Sequence, residues 1–156
     1  MAYESARAQL ARYGFEDRIT LFDVSSATVE LAAQAVGCDP AMIAKTLSFD
    51  VNGTVVLILA AGDAKIDNPK YKAQFGAKAK MLSHEEAEPR IGHAVGGVCP
   101  FGVNEGVKVY LDISLKRFEI VYPACGTANS AVRLTPDELE VCAQPETWID
   151  VCKNWQ

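Results

Sequence analysis

Histidine is scarce in this chain and cysteine is scattered. There are two histidines, His84 and His93, and five cysteines, Cys38, Cys99, Cys125, Cys142 and Cys152, with no CxxC pair. Neither the spaced ligands of a zinc site nor a complete secreted disulfide framework can be written from that set. No metal is expected, and the thiols are expected to be reduced. Phosphate-cradling motifs are missing as well, since the sequence holds no GKS or GKT and no GxGxxG, so no nucleotide cofactor is expected. The longest strongly apolar run, VVLILAA from Val55 to Ala61, is too short to span a bilayer, and the opening MAYESARAQLARYG has no apolar segment of the signal type. A soluble, cytoplasmic protein without a membrane partner is the expectation.

An excess of positive charge is also lacking. The net charge of −5 excludes a protein that coats nucleic acid by bulk electrostatics. The distribution is uneven, however. The segment from Asp63 to Lys80 carries Lys65, Lys70, Lys72, Lys78 and Lys80 against two aspartates, a local +3 that leaves −8 for the remainder. Such a patch suits an anionic ligand held at one place, although from pattern alone a solvated helix face is the commoner reading. At 156 residues with no linker-like stretch, one domain over 1–156 is expected.

Local signals are dense. Tyr3, Ala6, Leu10 and Tyr13 recur at helical spacing before Gly14, and a strand is expected around Ile19 to Val24. Ser25 and Ser26 can cap a helix whose Val29, Ala32, Ala33 and Val36 form an apolar stripe ended by Gly37. MIAKTLSFDVNGTVVLILAA reads as a β-hairpin turning at Asn52-Gly53. A short helix is expected over Pro69 to Phe75, and Ser83 and Glu86 form a capping box for another, limited by Pro89. GVKVYLDISL, RFEIVYPA and SAVRLT read as strands, and Thr135, Pro136 and Glu138 start a last helix. Without a βαβ rhythm, a mixed, largely antiparallel sheet flanked by helices fits best, an α/β fold of the α+β type.

Three places could carry chemistry. Lys45, in IAKTLSF, is either an edge-strand lysine leading its ammonium to water or a fixed positive charge beside a pocket. GHAVGGVCPFG, from Gly92 to Gly102, is either a tight connector or a loop whose bare N–H groups hold a carbonyl or developing oxyanion. Cys99 with His93 is either a packing pair or a thiol nucleophile with its base.

KTLSFDVNG, AAGDAKID, GHAVGGVCPFG, VYLDISL and ACGTANSAVRLTPDEL, in that order, make the chain resemble the YbaK/EbsC family from about Ala44 to Leu139. These are free-standing aminoacyl-tRNA deacylases, similar to the editing domain inserted in bacterial prolyl-tRNA synthetases. The resemblance implies a sheet curling towards a barrel and a hydrolase that cleaves the ester of a mischarged amino acid at the tRNA 3′ end. It implies a functional role for Lys45, and a substrate loop at Gly96, Gly97, Val98, Cys99 and Pro100. Cys99 stands where the family commonly has serine. Gly126, Thr127, Asn129 and Ser130 of the CGTANS loop are expected to face the same pocket, with Phe22 and Thr46 on its wall. The five lysines of the patch would guide the acceptor end of mischarged tRNA, and prolyl-tRNA synthetase is a candidate partner.

One methylene in an apolar pocket discriminates by only about 1–3 kcal/mol, so editing works by a second, smaller sieve. That implies alanine, cysteine, serine or threonine as the group removed, from tRNA-Pro in the first instance. The alternative is a non-catalytic tRNA- or synthetase-binding module of the same fold.

Overall fold

The computed structural model describes residues 2–155. Helix α1 (Ala2–Ala11) buries Ala6 and Leu10, and strand β1 (Ile19–Leu21) follows. Helix α2 (Val29–Val36) is capped by Thr28, whose hydroxyl accepts the Leu31 N–H at 3.2 Å, and not by Ser25 or Ser26. Those serines are held elsewhere: the Ser26 N–H donates to the Ala128 carbonyl at 2.6 Å, and the Ser25 hydroxyl accepts from the Ala27 N–H at 3.1 Å. Gly37, in the left-handed region, ends α2 as expected.

Strands β2 (Ala44–Val51) and β3 (Thr54–Ala61) form the expected hairpin, in register from Ala44 opposite Ala61 to Val51 opposite Thr54. Asn52 at φ 52° and Gly53 at φ 91° supply the two positive angles that a tight hairpin turn requires. Strand β4 (Lys65–Ile66) precedes α3 (Asn68–Phe75), which Asp67 caps and Gly76 ends. Helix α4 (His84–Ile91) has both reciprocal bonds of the Ser83 and Glu86 capping box, and runs two residues past Pro89.

The region after the glycine-rich loop departs from the expected run of strands. Strand β5 covers Lys108–Asp112, but then the Asp112 carboxylate takes the Ser114 N–H at 3.0 Å and turns Ile113–Arg117 into a 3-10 helix. RFEIVYPA is not a strand. Only single-residue bridges form there, Val121 with Leu134 and Tyr122 with Ile43, because Pro123 has no N–H to continue a ladder. Strand β6 (Ser130–Val132), helix α5 (Pro136–Ala143) with its Thr135 and Glu138 capping box, and strands β7 (Trp148–Ile149) and β8 (Cys152–Lys153) complete the order.

The main sheet has the order β2-β3-β5-β7, antiparallel at β2–β3 and parallel at the other two pairings. Two antiparallel ribbons, β1–β6 and β4–β8, stand apart from it, and the strands do not close into a barrel. β3 lies between two neighbours and is buried on both faces from Val55 to Ala61, which explains why its sequence is continuously apolar. Around it pack Phe49, Tyr71, Phe101, Leu111, Leu115, Leu134 and Leu139. Each fully buried side chain of this size contributes about 1.5–3 kcal/mol. A second, smaller cluster of Ala32, Ala33 and Ile43 lies beneath α2. No helix is long and apolar enough to cross a membrane among the described residues.

Candidate functional site

A cavity of about 400 Å³ opens between the first residues of β2, the chain leading into α2, the Met81 to His84 segment and the glycine-rich loop. Lys45, Thr46, Gly96 and Val98 all line it. The Lys45 ammonium donates to the Gly62 carbonyl at 3.4 Å and to the Ala64 carbonyl. With three donors on an ammonium, one N–H stays available to a ligand. Burial lowers the Lys45 pKa, opposed by Cys152 and Asp63 and reinforced by Lys65. The hydroxyl of Thr46 is shut off from solvent and has no hydrogen-bond partner among the described residues.

The glycine-rich loop owes its composition to close approach. A Cβ on Gly97 would lie 2.7 Å from the Thr127 nitrogen, and Gly96 adopts φ 97°. The Gly97 N–H closes a turn onto the Ala94 carbonyl at 3.0 Å, whereas the N–H groups of Gly96 and Val98 carry no hydrogen bond to any described residue. Unbonded main-chain donors on two residues that line a cavity are the raw material of an oxyanion site.

Behind this loop, the chain around Thr127 is stitched to the segment entering α2. The Phe22 N–H donates to the Asn129 carbonyl at 2.8 Å, and the Asn129 amide returns a bond to the Phe22 carbonyl at 3.0 Å. The Ser26 hydroxyl donates to the Ser130 carbonyl at 3.3 Å, and both serines are buried where they line the cavity.

The other expected site residues fall differently. Gly97, Cys99 and Pro100 are buried, and none of the three lines the cavity. The Cys99 thiol sits 3.6 Å from His93 Nε2, and burial pushes its pKa up. His93 Nε2 donates to the Phe101 carbonyl at 2.7 Å, its Nδ1 has no partner among the described residues, and burial lowers its pKa. A protonated thiol facing the core is a poor nucleophile. Gly126 and Thr127 support the back of the loop and do not line the cavity. Phe22 lies in a neighbouring groove of about 520 Å³ with Arg18 and Arg133.

The lysine patch is divided. Lys70 is taken by Asp150 at 3.0 Å and by the Cys152 carbonyl at 3.1 Å. Lys65, Lys72, Lys78 and Lys80 are exposed, and Lys80 adjoins Met81 and Leu82 on the cavity wall. Ser130 of the CGTANS loop lines the cavity as expected, whereas Asn129 does not. Sequence reading missed Ser26, Thr28, Ser48 and His84 as wall residues; for Ser26 and Thr28 the visible mark was the hydroxyl-rich SSAT stretch, read as a cap. Among the described residues no group of three or more His, Cys, Asp or Glu side chains is placed to hold a metal ion.

YwhH, an uncharacterized protein of Bacillus subtilis (strain 168), is 52% identical over 157 residues, covering 100% of both chains. The proline–tRNA ligase of Lysinibacillus sphaericus (strain C3-41) is 34% identical over 90 residues, which is 57% of this chain but only 16% of the ligase. A solved structure of a proposed trans-editing enzyme for prolyl tRNA synthetase superposes with a TM-score of 0.86 at 29% identity, covering 97% of each chain. The model of the aminoacyl-tRNA editing domain matches residues 24–142. Every residue that lines the cavity falls inside that match, and the chain belongs to the aminoacyl-tRNA editing domain family.

Proposed function

We propose that the protein is a trans-editing deacylase that hydrolyses the ester of a small, wrongly attached amino acid on tRNA. Alanine, cysteine, serine and threonine are the substrate class, tRNA-Pro is the first tRNA to test, and prolyl-tRNA synthetase is the candidate partner in the cytoplasm. The observation that carries this reading is the shared cavity: Lys45, Gly96 and Val98 line it together, and the Gly96 and Val98 N–H groups have no hydrogen-bond partner among the described residues.

In this reading a water attacks the ester carbonyl carbon, the Gly96 and Val98 N–H groups take the oxyanion, and the acyl–oxygen bond to the ribose breaks. The ribose oxygen leaves with one proton of the attacking water, and the amino acid leaves as its carboxylate with the other proton released to solvent. The remaining N–H of Lys45 holds the carbonyl or the terminal phosphate. No side-chain nucleophile is needed, because an aminoacyl ester is already activated. Thr46, with its unpartnered hydroxyl, offers a polar contact to the aminoacyl group.

A panel of charged tRNAs tests the reading. Multiple-turnover ester loss is expected for a small non-cognate residue on tRNA-Pro, with Lys45→Ala reducing it by about 10²-fold or more. The second reading, a binding module without catalysis, draws on the two carbonyls that already occupy Lys45. It predicts that charged tRNA is retained uncut.

A further inference from the structure

We propose that Lys65 and Lys153, side by side on the β4–β8 ribbon, form a phosphate-binding step for the single-stranded 3′ end of a tRNA. The proposal rests on the editing function above and names the path by which substrate approaches that site.

The register carries the argument. Lys65 and Lys153 are Cα partners in an antiparallel ladder, and both are exposed. Like charges directly opposite one another destabilise a strand pair, and this ribbon is only two residues long on each side. A carboxylate between the lysines would remove the cost, but the nearby ones are spent. Asp63 grips Arg117 through both oxygens at 2.6 and 3.0 Å, and Asp150 holds Lys70 at 3.0 Å. Asp67 takes the Lys70 N–H at 3.3 Å as the cap of α3. Among the described residues neither Lys65 nor Lys153 has an ion-pair partner.

The ribbon also adjoins the cavity. The Lys45 ammonium rests on the carbonyl of Ala64, the residue before Lys65, and the charge of Lys65 is felt at Lys45. The lysine pair therefore stands on a ribbon whose adjoining carbonyl, that of Ala64, receives the ammonium of a cavity-wall residue. A polyanion lying across Lys65 and Lys153 would relieve their repulsion and deliver its last residue to Lys45. The repeating charge of a phosphodiester backbone matches a pair of ammonium groups better than a single small anion does. Lys65 lies inside the stretch matched to the editing domain and Lys153 beyond it, so the step joins that domain to the C-terminal segment.

The test is a pair of opposed readouts on the full chain. Lys65→Gln with Lys153→Gln is expected to raise the melting temperature by about 1–3 °C through lost repulsion. The same variant should weaken binding of uncharged tRNA about tenfold at low salt and flatten the salt dependence by about two phosphate contacts. Trimming the single-stranded 3′ end from the tRNA should abolish the difference between wild type and variant. Lys65→Glu, which places opposite charges across the ladder, should also bind tRNA weakly while melting higher. An equal-charge comparison, Lys108→Gln with Lys116→Gln, should bind nearly as wild type. Unchanged binding in the Lys65 and Lys153 variants, as expected if the lysines only guard a strand edge, overturns the proposal. So does an equal loss in the comparison variant, or an equal effect on trimmed tRNA or on inorganic phosphate as competitor. Because uncharged tRNA is the probe, the result stands whether or not the wild type deacylates anything, and an absence of turnover counts against the editing function alone.

Discussion

The Cβ that Gly97 lacks would fall 2.7 Å from the main-chain nitrogen of Thr127 and 2.8 Å from the Gly126 carbonyl carbon. Two loops thirty residues apart in sequence therefore lie backbone to backbone, and the one that lines the cavity is shaped by the one behind it. Gly97→Ala forces main chain to move, because no flexible side chain is there to yield. Thermal unfolding should show a loss of about 1–3 kcal/mol, and deacylation should fall with it, since Gly96 and Val98 flank the displaced residue. A variant that melts and turns over like wild type would show that the two loops can separate freely.

Cys99 provides a separate check on the chemistry. Its thiol is fully buried, its pKa is raised by that burial, and it does not line the cavity. Cys99→Ala is expected to keep most of its deacylation while losing some stability from the space left behind. Alkylation of Cys99 in the native protein should be slow and should track unfolding. Abolished turnover in a folded Cys99→Ala would restore the thiol mechanism.

Lys45 gives a pH dependence with a definite sign. Burial holds its pKa below the ordinary lysine value of 10.5. Between the depressed value and 10.5 the unfolded chain binds more protons than the folded one, so stability rises with pH across that window. Below it, the cost of burying the charge is present in full. Denaturant titrations from neutral to alkaline pH should show this rise, and Lys45→Met should flatten it. Deacylation, corrected for spontaneous ester hydrolysis, should decline over the same window as the ammonium is lost. A wild-type stability profile identical to that of Lys45→Met would remove the buried charge from the account.

Legibility in the sequence followed the range of the interactions. The Asn52-Gly53 hairpin, the Ser83 and Thr135 capping boxes and the helix-ending Gly37 and Gly76 are set within a few residues, and each was readable. The parallel pairing of β3 with β5 depends on partners about fifty residues apart and leaves no local mark. Ser25 and Ser26 resembled caps because hydroxyls suit caps, yet Ser26 bonds to Ala128 and Ser130, a hundred residues away, and the Ser25 hydroxyl accepts from Ala27 ahead of the helix. The lysine patch looked uniform because Asp150, which neutralises Lys70, lies near the other end of the chain. Lys45 and the glycine-rich loop stood out in sequence, but which loop residues face the cavity and which face Thr127 is decided by tertiary contact.

The cavity makes a further prediction about selection. Its volume of about 400 Å³ is in the range of pockets that hold whole small ligands, so it can take in part of the terminal ribose as well as the aminoacyl group. Discrimination must then come from the local wall around the side chain, where Ala27, Ala32, Ala44, Ala124 and Ala131 keep the lining short. Ala124 is the one to enlarge, being half-buried and packed against the core without lying wholly inside it. Ala124→Val should narrow the sieve, so kcat/KM for a threonyl ester falls more than for an alanyl ester on the same tRNA. A relative change of about tenfold is the scale expected for a group of that size in an apolar wall. Melting temperature, measured alongside, separates this from general disruption, which would lower both rates together. Equal losses for the two esters in a stably folded variant would place the size filter elsewhere in the cavity.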